Sequence, residues 1–383
     1  MNTPTFDTIV AGVGSVGSAA CYHLAKRGAS VLGVEQFSPP HARGSHHGHS
    51  RMIRQSYYEH PDYVPLLRHA YALWEELQSS SALPPFFHLT GGLYIGPDDG
   101  AIVAGSRLAA EHHGLAYEML DPDQVRNRFP AFAPDHRHRG FYETNAGFLV
   151  PERAVAAHAE AAMTLGATLH TGESILAWSA HPDHVEVQTN KATYVAAQLV
   201  ITSGAWTGKV TADLGIDLKV TRQVMAWFDP LGDRGRFAPE VFPCWFIETD
   251  PPFGHYGFPV VPGDPGLKIA LHKPGEPIEP EDLAAEDQQP RQDEIDQLRA
   301  MLDQHLPGCA GDLVHACTCM YTNSPDSHFI IGKHPLHDRV SIACGLSGHG
   351  FKFSSVLGEV LAELASEGRS RLPIDFLSPA RFS

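Results

Sequence analysis

Three glycines, Gly12, Gly14 and Gly17, followed at position 35 by a glutamate, have the spacing of a dinucleotide-binding turn. Gly12 permits a tight turn, Gly14 lets backbone approach a pyrophosphate, and Gly17 lets a helix pack closely on a strand. The phosphates would rest on free N–H groups of a helix opening at Ser15 and Val16, at the positive end of its dipole. Glu35 stands where a carboxylate accepts hydrogen bonds from an adenosine ribose, and an acid there disfavours the extra phosphate of NADP. The alternative is a glycine-rich packing turn with Glu35 solvated. The motif alone leaves FAD and NAD both open.

Other reactive side chains are less decisive by themselves. Gly44 to Arg54 gathers His46, His47, His49, Arg51 and Arg54 within eleven residues. Of the six cysteines none forms a C-x-x-C pair, and Cys317-Thr318-Cys319 is too tight for the usual zinc spacing. Cys317 and Cys319 would share one side of an extended strand, where a single cysteine is ordinarily a small buried hydrophobe.

The elements that must hold these groups follow from periodicity. Phe6 to Ala11 reads as a buried strand, Ser15 to about Arg27 as a helix stopped by Gly28, and Ser30 to Glu35 as the next strand, a βαβ unit. Helices are expected over Val64–Leu77, Asp121–Phe129, Glu152–Leu165, Ile295–Leu306 and Ser354–Glu367. Pro65 is tolerable in the first of these because it falls in the opening turn. Strands are expected at Val185–Thr189, Leu199–Thr202 (running into Ser203-Gly204) and Val340–Cys344. Residues 217–273, rich in aromatics, proline and β-branched types, suggest a mixed or antiparallel sheet, and Glu279–Arg291 a solvated loop. The chain thus begins and ends in strand–glycine–helix units around a sheet-rich middle, an α/β plan of two packed lobes.

Composition narrows the class. Of 383 residues 43% are hydrophobic, enough for two buried cores, and a formal charge of −16 argues against a nucleic-acid or anionic-membrane surface. No run reaches the roughly 18 apolar residues of a membrane span, and the N-terminus lacks a signal-peptide pattern, so a soluble cytoplasmic protein is expected.

Five segments, in order, settle the choice between cofactors: Gly44–Arg54, Tyr256–Pro259, Leu267–His272, Cys319–Thr322 and Gly345–Phe353. They closely resemble the monomeric sarcosine oxidase and N-methyltryptophan oxidase family, and the match runs from residue 6 to about residue 365. Thr322–Asp326 and Ser355–Glu359 look nearer to the N-methyltryptophan oxidase branch. The resemblance implies a Rossmann-like FAD domain of glutathione-reductase type with an inserted antiparallel-sheet substrate domain. The FAD domain would take residues 1–85, 146–216 and 323–383, and the substrate domain 86–145 and 217–322. It implies oxidation of a small secondary amino acid, with O2 as acceptor and hydrogen peroxide as product, in a monomer.

Residue by residue, it implies that Cys319 bonds the flavin through an 8α-thioether, with Cys317 as runner-up. Arg54 and Lys352 would clamp the substrate carboxylate, by a bidentate fork and a point charge. Lys268 would activate oxygen electrostatically, and Arg51 would raise the flavin's electron affinity. Tyr256, His272, His349 and Tyr321 would line the substrate pocket and position or polarise the amine. Ser45, His46, Gly204, Gly348 and Gly350 join Gly12, Gly14, Ser15, Val16, Gly17, Glu35, Cys319 and Lys352 as cofactor contacts. His49 stands where the best-known members carry aspartate, which removes a negative charge beside the two arginines, and Gly332 also replaces a frequent aspartate. The histidine trio is read as a flavin-contacting loop in preference to a metal site. A cyclic imino acid or a biosynthetic amine is an alternative substrate. An NAD-dependent dehydrogenase would give no role to Cys319 or Lys268, and a non-catalytic flavoprotein would be expected to lose the clamp or the lysine.

Overall fold

The computed structural model describes residues 6–250, 252–261, 263–284 and 289–382. Phe6–Ala11 is the central strand of an eight-stranded sheet, parallel to Val31–Glu35 on one side and to Thr193–Ile201 on the other. The long strand Thr193–Ile201 serves two neighbours in turn. Its first half pairs antiparallel with Val185–Thr189, and its second half pairs parallel with His337–Cys344. Parallel strands need both faces covered, and their composition follows: Ile9, Val10, Leu32, Val34, Leu199, Val200 and Ile201 are all buried. On one face the helix Ser15–Lys26 packs against Pro151–Thr164 and Ser354–Glu367. The last of these is apolar nearly all round and accordingly almost wholly buried.

A second eight-stranded sheet runs in the order Leu313–Asn323, Lys219–Phe228, Leu267–His272, Phe253–Gly257, Cys244–Asp250, Gly92–Pro97, His138–Glu143, Glu118–Leu120. It is antiparallel except where Cys244–Asp250 meets Gly92–Pro97. Side chains alternate across a strand, so the register sorts them into two faces. Ala226, Phe228, Leu267 and Ile269 join the core beneath the helix Gln292–His305. Met225, Trp227, Lys268, Ala270, His272, Cys319 and Tyr321 take the other face, toward the first sheet. A three-stranded sheet of Arg51–Ile53, Gly147–Leu149 and Phe87–Leu89 completes the set.

Most expected elements occur within a few residues of their expected ends. The helix from Val64 runs on to Ser80, preceded by a short turn at Pro61–Tyr63. Asp121 caps Pro122–Arg128 through a reciprocal bond with Gln124. One expectation is corrected. Glu279–Arg291 is not simply a loop: Pro280–Ala284 forms a short helix, tied down by Glu281 through Trp206 and Lys209, and residues 285–288 lie outside the described residues. The helix Ala101–His113, which buries Ile102, Val103, Ser106, Ala109 and Ala110 at helical spacing, is an element not among those expected. No helix among the described residues is long and apolar enough to cross a membrane.

Candidate active site

A cavity of about 700 Å³ opens at the C-terminal end of the central strand, where ligands bind in open α/β sheets. Gly12, Gly14, Ser15, Val16 and Glu35 line one end and Gly348, Gly350 and Phe351 the other, with Ser45, His46, Arg51 and Gly204 between them. The turn needs its glycines. Gly12 has φ +92°, and a Cβ on Gly17 would lie 1.8 Å from the Gly12 carbonyl oxygen. The helix at Ser15 has neither a side-chain cap nor an acid in its first turn, which leaves its amides and positive dipole end to a ligand. Glu35 accepts from Val13 N–H at 2.8 Å and Phe37 N–H at 3.0 Å. Burial works to raise the Glu35 pKa, but His41 and these amides hold it below the ordinary glutamate value. His46 is buried beside Gly14, pushed down to about 4 by burial, and its Nε2 finds no hydrogen-bond partner among the described residues.

A smaller pocket adjoins the cavity, and Arg51, Tyr256, Tyr321, Gly348 and Phe351 are common to both. It brings Arg54, Lys352, His272 and His349 together, from segments far apart in the chain. Lys352 Nζ donates to the His349 carbonyl at 2.7 Å, and burial, with Arg54 close by, pulls it down to about 7. His272 Nδ1 lies 3.1 Å from the Tyr321 hydroxyl. His349 Nε2 lies 3.0 Å from the Ser327 carbonyl, so that nitrogen carries the proton and Nδ1 accepts from Tyr57. Burial pushes His272 down to about 4 and His349 to about 3, so both are neutral at physiological pH.

Arg54 is not a free fork. Its Nη2 donates to both carboxylate oxygens of Glu59 at 2.7 Å, its Nη1 donates to the Ser56 carbonyl, and its plane lies 4.4 Å from the rings of Tyr57 and Tyr58. Burial would raise Glu59, but Arg54, His349 and Lys352 outweigh it and hold the acid down to about 2. The sequence reading missed Glu59, which lies five residues after Arg54, and Phe246, a further wall of the pocket.

Lys268 is fully buried on the site face of the second sheet. Its Nζ donates to the carbonyls of Gly48 at 2.6 Å and Ser50 at 2.7 Å, while burial and then Arg51 pull it down to about 7. The turn between those carbonyls contains His49 at φ +65°, a left-handed conformation uncommon for L-residues but more accessible to Asn, Asp and His than to most. Glu152 holds it by accepting from Gly48 N–H at 2.7 Å and His49 N–H at 3.1 Å. His49 turns away to pair with Asp264 at 3.0 Å, which raises its pKa. His46, His47 and His49 therefore point to different surroundings. Glu152 brings a negative charge near Arg51, although position 49 no longer carries one. Neither Glu152 nor Asp264 has a sequence signal of its own.

Cys319 is buried against Met225, Trp227 and Tyr321, with Arg51 Nη2 at 4.0 Å from its sulfur. Burial raises the thiol, and Arg51 and Lys268 oppose that rise. Cys317 packs against the same cluster, and burial pushes its thiol up to about 11.

The FAD dependent oxidoreductase family matches residues 7–364 of the chain. The chain belongs to that family. Monomeric sarcosine oxidase of Streptomyces avermitilis is 43% identical over 383 residues, covering 100% of this chain and 99% of that protein. N-methyl-L-tryptophan oxidase of Escherichia coli is 34% identical over 383 residues, covering 99% of each. Over the whole chain the identity thus runs opposite to the branch suggested by Thr322–Asp326 and Ser355–Glu359. Among solved structures, NikD, an unusual amino acid oxidase essential for nikkomycin biosynthesis, superposes with a TM-score of 0.84 at 25% identity, covering 98% of both chains. The cavity fits FAD: about 700 Å³ of space, uncapped helix amides, a carboxylate at the ribose position and an imidazole nitrogen without a partner among the described residues.

Proposed function

We propose that this FAD-dependent oxidoreductase is an oxidase of small N-methyl amino acids, of which sarcosine is the simplest. Sarcosine, O2 and water would yield glycine, formaldehyde and hydrogen peroxide. The observation that carries the reading is the pairing of two buried cations, Arg54 and Lys352, in one small pocket that shares a wall with the dinucleotide cavity. A carboxylate is the group such a pair selects, by an ammonium on one side and on the other a guanidinium whose fork Glu59 would have to share or release. Phe246 and Tyr256 wall this pocket, much the smaller of the two, which favours a short side chain over an indole.

FAD, when bound, supplies the two-electron acceptor and the centre that reacts with oxygen. The chain's own residues bind and orient. Arg54 and Lys352 fix the carboxylate, and holding the reacting carbon in place removes much of the entropic barrier. His272 and His349, neutral and already engaged by Tyr321, Tyr57 and Ser327, act as fixed dipoles around the amine rather than as proton acceptors. Lys268 places a cation on the oxygen side and Arg51 a second beside it, where negative charge develops. Cys319, beside Arg51, is the residue we assign to a thioether with the flavin 8α carbon. Burial raises that thiol, Arg51 and Lys268 work against the rise, and Cys319 would serve as the flavin's covalent anchor.

The test is anaerobic titration of the purified yellow protein with sarcosine, N-methyltryptophan, pipecolate, proline and glycine. Bleaching of the visible band by sarcosine, reversed by air, is expected. Lys352→Met should raise the sarcosine KM by about 10–100-fold, the worth of one hydrogen bond to a charged group. Bleaching by N-methyltryptophan or proline with sarcosine inert would overturn the substrate assignment.

A further inference from the structure

Two clusters outside the active site each bring three possible metal ligands together among the described residues: His181, His184 and Glu186, and Asp213, His334 and His337. In each, the ligand atoms lie within 4.8 Å of one another. Proximity does not distinguish them; the state of the imidazoles does. A histidine ligates through a nitrogen that carries no proton, and an acceptor on its other nitrogen fixes that tautomer, whereas a donor there places the proton on the would-be ligand atom.

His334 fails that condition. Its Nδ1 accepts from Leu336 N–H at 3.2 Å, so the proton of the neutral ring sits on Nε2, the atom facing Asp213 at 3.5 Å. His184 meets it. Its Nδ1 lies 2.7 Å from an Asp183 carboxylate oxygen, which can only accept, so Nδ1–H donates to it and the Nε2 lone pair of the neutral ring faces Glu186 Oε1 at 3.5 Å.

The backbone brings the other two ligands to the same place. Ile175–Ala180 and Val185–Thr189 form a hairpin whose turn, His181-Pro182-Asp183-His184, is closed by His181 N–H on the His184 carbonyl at 2.8 Å. Opposite residues of a hairpin share a face. Ala180 pairs with Val185, which is buried, so His181, His184 and the Ser179–Glu186 pair stand together on the other face. The two imidazole rings are 4.5 Å apart at 16°, and His181 Nε2 is 4.0 Å from Glu186 Oε2 and 3.1 Å from Ser179 Oγ. Arg339 anchors the turn by donating to the Pro182 carbonyl at 2.8 and 3.0 Å.

We propose that the His181–His184 hairpin tip is a divalent transition-metal site, with His181, His184 and Glu186 as ligands and Asp183 as the carboxylate that orients His184. Two imidazoles and a carboxylate suit zinc, copper or nickel rather than calcium or magnesium. Zinc bonds of about 2.0–2.2 Å require the three side chains to draw in slightly, with water completing the shell. The site is remote from the chemistry. Val185 pairs with Ala196 and Ala196 with Phe6, at the start of the central strand, whereas the dinucleotide cavity opens at its far end beyond Ala11. An ion there would clip the hairpin's two strands together without touching the pocket.

The FAD-loaded protein, treated with EDTA and desalted, would be titrated with zinc chloride at pH 7.5 by calorimetry. One zinc per chain is expected, lost in His184→Ala, weakened about 10–100-fold in Asp183→Asn, and unchanged in His334→Ala. Flavin absorbance and turnover should match the parent in all three variants, which separates loss of a ligand from loss of the fold. Wild-type binding without a stoichiometric site, or a site that survives His184→Ala, would overturn the proposal. Loss of the site in His334→Ala alone would move it to the rejected cluster.

Discussion

The dinucleotide cavity and the small pocket beside it share a wall but are made of different materials. The cavity's phosphate end is mostly backbone: a turn that only glycine can make, uncapped helix amides, and one carboxylate at the tip of the next strand. All of it comes from residues 12–35, a stretch short enough for local sequence to specify its conformation. The pocket is mostly side chains, and buried ionic ones. Arg54 and Glu59, His272, and Lys352 reach it from three segments, and the charges are held by one another, by carbonyls and by tyrosine rings. A backbone site tolerates no added atoms, whereas an ionic pocket is sensitive to every charge within a few ångströms. The two regions should therefore fail in different ways.

The largest effect is expected at the turn. Gly17→Ala would press a methyl group into the Gly12 carbonyl, and protein without bound flavin is the expected product, read from the ratio of visible to ultraviolet absorbance. Gly208→Ala, with open space around its Cβ, should load normally. Equal loading in both variants would break the comparison.

An intermediate effect is expected at Lys268. Lys268→Met should lower the second-order rate of flavin reoxidation by oxygen by about 10²–10³-fold and spare anaerobic reduction, because it removes a preorganised charge from one half-reaction. Lys268 is cationic below about 7 and neutral above it. The oxygen rate constant of the parent should therefore fall as pH rises through about 7, and Lys268→Met should flatten that profile. Stopped-flow measurement of both half-reactions decides it, and equal losses in the two would remove the assignment.

The smallest effect sharpens the picture of the clamp. Glu59 occupies the fork that a substrate carboxylate would use. Glu59→Gln should tighten binding of simple carboxylates such as acetate, by up to about tenfold, or 1.4 kcal/mol. Flavin difference spectra would report it, and weaker binding would mean that Glu59 supports Arg54 rather than competes with the ligand.

The same contrast explains what could be read in advance. The G-x-G-x-x-G unit, its strands and Glu35 were legible because propensity, turn chemistry and periodicity agree within thirty residues. The carboxylate clamp was named by family resemblance, and the structure does gather Arg54 and Lys352 in one pocket. Their partners were not legible. Nothing in a lone glutamate at 59 or 152, or an aspartate at 264, says which cation or amide it will meet, because those meetings depend on strand register and loop packing. The departure at His49 looked like the loss of a negative charge until the fold showed Glu152 beneath the same turn.

By itself, then, the sequence determined the strand–turn–helix that receives a dinucleotide, the two-ended order of elements, and the types of charged residue available for catalysis. The tertiary structure alone decided that Glu59 engages Arg54, that Lys268 is buried between two carbonyls, and that Nδ1 of His184 meets a carboxylate whereas Nδ1 of His334 meets an amide. The reason is the range of the forces. Backbone preferences act over a few residues and can be read along the chain. Desolvation and Coulomb interactions act through space, on neighbours that only folding supplies.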